Sequence, residues 1–130
     1  MPVLVNATQA RPIAANVLEA VSAWERVKGF LGRSEIGADD GIWFGRCDAV
    51  HTIGMRVTID VVFLDERQAV VHLAEAVPPG RLYVGRRGAR TVVELAGGAA
   101  RRQGLAVGDV LALGDPHGFG VEQERGHGLG

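Results

Sequence analysis

The stretch His51-Thr-Ile-Gly-Met-Arg-Val-Thr-Ile-Asp-Val-Val-Phe-Leu-Asp65 decides the fold. In its second half, Ile59, Val61 and Phe63 alternate with Val62 and Leu64, so both faces are apolar. A strand without a polar face has to be covered on both sides, which predicts an inner strand over Ile59–Leu64. Asp65-Glu-Arg-Gln68 then reads as a tight polar turn into Ala69–Val77, an antiparallel hairpin partner. The first half is different in kind. His51, Thr52, Met55 and Arg56, with Asp60 at the mouth of the strand, gather polar groups beside a buried element.

Outward from this segment the chain reads as short strands separated by turns. Val3–Val5 opens the fold, and Ile13–Val21 is expected to return beside it as a hairpin partner, with Pro12 at an edge. Gly41–Phe44, Cys47–Thr52, Thr91–Leu95 and Val110–Leu113 are further extended segments. Ser22-Ala-Trp-Glu25 matches a capping box, and Trp24, Val27 and Leu31 follow at helical spacing. Ala99–Gln103 predicts one helical turn closed by Gly104. The 19 glycines in 130 residues, about twice the usual share, argue against a helix bundle. The expected class is mainly β: a small β-sandwich (jelly-roll-like) or distorted barrel with one or two short peripheral helices. One domain is expected over 1–114, followed by a Gly-rich, mobile tail at 115–130.

Composition narrows the function classes. The net charge of −1 and the pI near 6.4 argue against nucleic acid as a partner. A single cysteine, Cys47, cannot form an intrachain disulfide. The N-terminal residues show no basic and then apolar leader, and the apolar run Val61–Leu64 is far too short to cross a bilayer. The expected location is cytoplasmic, with no membrane partner.

Three pieces in this order resemble the family catalogued as domain of unknown function 192. They are Trp24-Glu-Arg-Val-Lys-Gly-Phe-Leu-Gly-Arg33; His51–Met55 running into Ile59–Asp65; and Val93-Glu-Leu-Ala-Gly97 followed by Gly104-Leu-Ala-Val-Gly-Asp109. The resemblance spans about residues 3–114 and implies a jelly-roll-type β-sandwich with peripheral helices, without an established activity. Two positions depart from the family pattern: Val57-Thr58 stands where an aromatic residue and proline are common, and Gly80 where a tryptophan is expected.

Two readings compete for the leading cluster. In the packing reading, Asp60 accepts bonds from backbone amides or Thr52, and Met55 fills core. In the functional reading, His51 and Arg56 face a shallow pocket and orient an anionic or polar ligand, with Asp60 organising them. His51 and Asp60 are thus candidate catalytic residues, and Thr52, Arg56, Arg81, Arg86 and Arg87 candidate ligand-binding residues. Between Arg81 and Arg102 lie six arginines (Arg81, Arg86, Arg87, Arg90, Arg101, Arg102) and one acid, Glu94, an excess suited to carboxylate or phosphate recognition. In an extended chain Cys47 and His51 lie about 13 Å apart, too far to share a zinc ion unless the chain turns sharply. No metal or cofactor is expected. Asp39-Asp40 and Asp65-Glu66 read as solvated turn acids. The expected function is an accessory module that binds a small anionic molecule or a protein; the alternatives are a small enzyme using His51 as general acid or base, and a structural component of an assembly.

Overall fold

The computed structural model of the chain describes residues 2–22 and 29–115. Its strands are β1 (Val3–Asn6), β2 (Arg11–Ala14), β3 (Asn16–Glu19), β4 (Asp40–Gly45), β5 (Ala49–Val50), β6 (Ile59–Leu64), β7 (Val70–Val77), β8 (Val84–Gly85), β9 (Thr91–Ala96) and β10 (Leu111–Gly114). The helix among the described residues is α1 (Ala99–Arg102). The strands form a three-stranded sheet ordered β10-β1-β2, a five-stranded sheet ordered β3-β4-β9-β6-β7, and a β5-β8 ribbon. Neither larger sheet closes on itself, so the architecture is a sandwich and not a barrel.

Every residue of β6 and of β9 is buried, as a strand with two apolar faces requires. On one side Val62, Leu64, Val93 and Leu95 pack with Leu4, Ile13 and Leu111 of the smaller sheet. On the other, Ile42, Phe44, Val61, Phe63 and Val92 pack with Phe30, Met55, Val84 and Ala89, which come from turns and the β5-β8 ribbon. The second face of the large sheet is therefore roofed mainly by loops.

Most sequence expectations hold, with local corrections. The β6–β7 hairpin is antiparallel, and Asp65 closes its turn by accepting the Arg67 and Ala69 amides at 2.9 and 3.0 Å. Pro12 lies on β2, at the edge of its sheet. The segment expected to be one strand over Ile13–Val21 splits instead. β2 pairs antiparallel with β1, and β3 crosses to the large sheet and runs parallel to β4. The crossing lets Val17 join the same core as Ile13. Cys47–Thr52 is extended only at Ala49–Val50, because the Cys47 thiol donates to the Ala49 carbonyl and Met55 N–H bonds back to Thr52. The helix expected from the Ser22 capping box through Trp24 and Val27, and the tail beyond Asp115, fall outside the described residues.

Asp60 takes the packing role. It is 1% exposed and accepts the amides of Ala76 (2.9 Å), Gly98 (3.1 Å) and Ala100 (2.9 Å). Ala76 belongs to a β-bulge: Ile59 pairs with Val77 and Val61 with Ala74, so two β7 residues oppose Asp60. Gly98 is the N-cap of α1. One carboxylate thus fixes a bulge and the entry to a helix. Asp60→Asn leaves an amide NH2 facing backbone donors, and an unsatisfied buried donor costs about 1–3 kcal/mol. Urea denaturation should show Asp60→Asn destabilised by roughly that amount or more.

Candidate functional site

The face of the large sheet that the loops roof contains a cavity of about 370 Å³. Its floor includes Phe44 of β4 and Glu94 of β9; its walls include Val50, His51 and Met55; Leu82 and Tyr83 stand at its rim. Leu82 is 79% and Tyr83 66% exposed.

Glu94 is on this face by register. It sits opposite Val61 on one side and Ile42 on the other, both in the loop-covered core. The side chain is 1% exposed, and its Oε1 has no hydrogen-bond partner among the described residues. Burial raises its pKa from an ordinary 4.5 to about 8, against the opposing pull of a hydrogen bond from the Phe30 backbone. At neutral pH the carboxyl holds its proton. The chain comes close to it at Gly29, whose φ is +48°; a β-carbon there would lie 3.1 Å from Oε1. Glycine at 29 therefore keeps both an unusual backbone angle and the space beside the acid.

His51 enters the cavity from the strand end after β5, and its Nδ1 is also buried without a partner. These two atoms are the buried, unpartnered side-chain polar atoms among the described residues. Gly54, at φ +85°, turns the chain after His51 under Leu31, where a β-carbon would come within 2.5 Å of the leucine.

Thr52 holds this loop to its neighbour. Its hydroxyl donates to the Pro78 carbonyl (2.7 Å) and accepts the Arg81 amide (2.8 Å), and its own amide donates to the Arg81 carbonyl. Thr52 is fully buried, with its hydroxyl engaged in both directions, so it positions the cavity wall and does not present a binding group.

The functional reading requires His51, Arg56 and Asp60 to converge, and they do not. Asp60 shares the face of Val62 and Leu64, on the opposite side of the sheet from Glu94. Arg56, Arg86 and Arg87 are exposed, and none lines the cavity. Arg81 lines a separate groove with Phe63, His72 and Tyr83. Cys47 and His51, expected to lie apart, do border one cavity, because the chain turns on either side of β5. His72 packs beside Phe63 with ring centres 5.9 Å apart. No group of three or more His, Cys, Asp and Glu side chains among the described residues is placed to hold a metal. Asp40, expected as a solvated turn acid, accepts from Arg33 (3.1 Å) and from the Gly37 amide.

Glu94 is the residue that sequence reasoning passed over, counted only as the acid among arginines. A signal was present. Thr91–Leu95 is otherwise a strand of Thr, Val and Leu, and a charged residue between apolar neighbours marks either an exposed face or a buried acid.

The family model of DUF192, described as "Uncharacterized ACR, COG1430", matches residues 3–113. The chain belongs to that family. Two solved structures share the fold. One is a protein of unknown function from Novosphingobium aromaticivorans, 24% identical with a TM-score of 0.76, over 86% of this chain and 84% of that one. The other is a "putative transcription regulator" from Sinorhizobium meliloti, 22% identical with a TM-score of 0.73, over 86% of this chain and 91% of that one. No curated protein matches the sequence.

The buried acid of this DUF192 chain makes stability depend on pH. Between pH 4.5 and about 8 the unfolded chain has lost the Glu94 proton and the folded chain still holds it. Stability contributed by this group is complete below 4.5 and falls as pH rises, by about 1.4 kcal/mol per unit, until both states are ionised above 8. Urea titrations at pH 5, 6.5 and 8 should show this decline in the wild type, and Glu94→Gln should remove most of it.

Proposed function

We propose that this chain is a ligand-binding module, and that the Glu94–His51 cavity takes a small molecule with a polar head and an apolar body. One observation carries the reading: Glu94 and His51 line the same cavity, and each has a buried side-chain atom, Oε1 and Nδ1, without a hydrogen-bond partner among the described residues. Buried polar groups are nearly always bonded, and an unsatisfied one costs about 1–3 kcal/mol. A ligand that supplies the missing bonds recovers that cost on binding. The remaining lining, with Phe44, Val50, Met55, Leu82 and Tyr83, suits an apolar body.

This moves the centre of the function away from the arginines, which lie on the exterior; Arg101, for example, sits 3.8 Å from Glu75 across an exposed surface. A larger depression, lined by Arg46, Asp48, Asp65, Glu66 and Arg90, mixes both signs of charge and contains no orphaned buried atom. It gives less reason for a ligand.

The same pair of groups supports a second reading, as an enzyme. A carboxyl that keeps its proton at neutral pH can act as a general acid, and an imidazole on the same cavity can act as the base. The two readings separate in Glu94→Gln: a binding module loses affinity in proportion to the lost contact, whereas an enzyme keeps binding its substrate and stops turning it over.

Fragment screening by methyl and amide NMR tests the binding reading. Hits should shift Val50, Met55 and Glu94 together, and Ala49→Phe, placed on the wall, should abolish those shifts while preserving the thermal unfolding profile. A diverse library that moves none of these resonances removes the reading.

A further inference from the structure

We infer that the cavity is an amine site, receiving a primary ammonium on a short apolar body, with its N–H groups directed at Glu94 Oε1 and His51 Nδ1. The inference rests on the binding reading above and names the ligand class.

Complementarity of donors and acceptors is the first argument. An ammonium has three donors and no acceptor. Glu94 Oε1 accepts, and His51 Nδ1 accepts in the tautomer that carries the proton on Nε2. One ammonium has donors enough for both orphaned atoms. An anionic head would need a donor from both groups, and no lysine or arginine among the described residues lines the cavity to hold it. A hydroxyl has only one proton to give, so with Glu94 ionised it satisfies only one of the two acceptors.

The surroundings point the same way. The rings of Phe44 and Tyr83 and the thioether of Met55 line the site, and aromatic faces attract cations. Gly29 lines the cavity and brings the backbone close to Glu94, where a β-carbon would lie 3.1 Å from Oε1. Ionised Glu94 alone in this apolar surrounding is unfavourable, and an ammonium beside it favours the charged form. Binding therefore moves a proton. Glu94 releases its proton to the buffer, the ligand arrives already protonated, and the complex holds a carboxylate–ammonium pair. Among the described residues, the other titratable groups lining the cavity are Cys47, His51 and Tyr83. The Cys47 thiol donates to the Ala49 carbonyl at 3.0 Å. Tyr83 is mostly exposed at the rim.

Isothermal titration calorimetry with matched probes tests this: 2-phenylethylamine, 2-phenylethanol and phenylacetate, and the smaller set butylamine, butanol and butyrate. Each is titrated in buffers of different ionisation enthalpy, which counts protons. The amines are expected to bind at least about tenfold more tightly than the alcohols or acids. At pH 7 they should release close to one proton each, and their affinity should rise about tenfold from pH 6 to pH 7, since Glu94 has a pKa of about 8. Glu94→Gln should lose both the proton release and the preference for amines; if that variant does not fold, the wild-type proton count decides alone. Tighter binding of an alcohol or acid in the cavity, or amine binding without proton release, overturns the amine assignment and leaves the binding module standing. Absence of binding by all six probes overturns the amine assignment; if the fragment screen is also empty, the binding module falls with it.

Discussion

Two adjacent strands without a solvent face set the terms for the rest of this molecule. β6 and β9 are buried along their whole length, so each side of the large sheet needs a cover. The three-stranded sheet supplies one cover, contributing Leu4, Ile13 and Leu111 to a shared core. The described residues form no third sheet of comparable size for the other side. They cover that side with turns around Phe30, Met55 and Ala89 and with the β5–β8 ribbon, stitched together through Thr52. Loops pack less regularly than strands and carry their own polar backbone. A gap on that side follows from the material used to cover it.

Two acids sit within this double-covered sheet, and their surroundings treat them in opposite ways. Asp60 and Glu94 are equally inaccessible, at 1% exposure. Asp60 points toward the regular side, where the amides of Ala76, Gly98 and Ala100 converge on its two oxygens. Three charge-assisted bonds offset the loss of water, and the acid becomes a structural fastener. Glu94 points toward the loop-covered side, where the Phe30 backbone offers one bond and Oε1 has none. Its charge is not offset, so it holds its proton instead. The difference lies in how many fixed donors each face of the sheet provides, not in how deeply each acid is buried.

The first of these acids was legible in the sequence and the second was not, for a physical reason. Ile59–Leu64 reads as an inner strand from its own residues, and Asp60 beside it invites the question of which donors satisfy it. The turn at Asp65, the edge position of Pro12 and the single helical turn before Gly104 are likewise local features, and local chemistry predicts them. The crossing from β2 to β3 is not local: Arg11–Glu19 could pair with either sheet until the demands of the shared core are known. The side to which Glu94 points depends on the register of β9 against both β4 and β6, and its burial depends in part on residues as distant in sequence as Phe30 and Met55. His51 was identified as a candidate, but the companions expected for it, Arg56 and Asp60, were chosen by proximity along the chain. The residue that shares its cavity comes from another strand.

A buried acid of this kind is costly to keep. A leucine at position 94 would match the apolar neighbours of β9, remove the unpaired oxygen and free the fold from its dependence on pH. Replacing an unsatisfied buried polar group with a packed apolar one is among the simpler routes to a more stable protein. Glu94 therefore opposes the trend of the strand that carries it, and Gly29 and Gly54 hold backbone angles of positive φ on the loops that run beside the same cavity. Where local choices conflict with the stability of the whole and cluster around one cavity, the conflict marks function. Asp60 contributes its bonds to the fold whether or not anything is bound. The unpaired oxygen of Glu94 contributes nothing until a partner reaches it, which makes it the strongest single argument that one does.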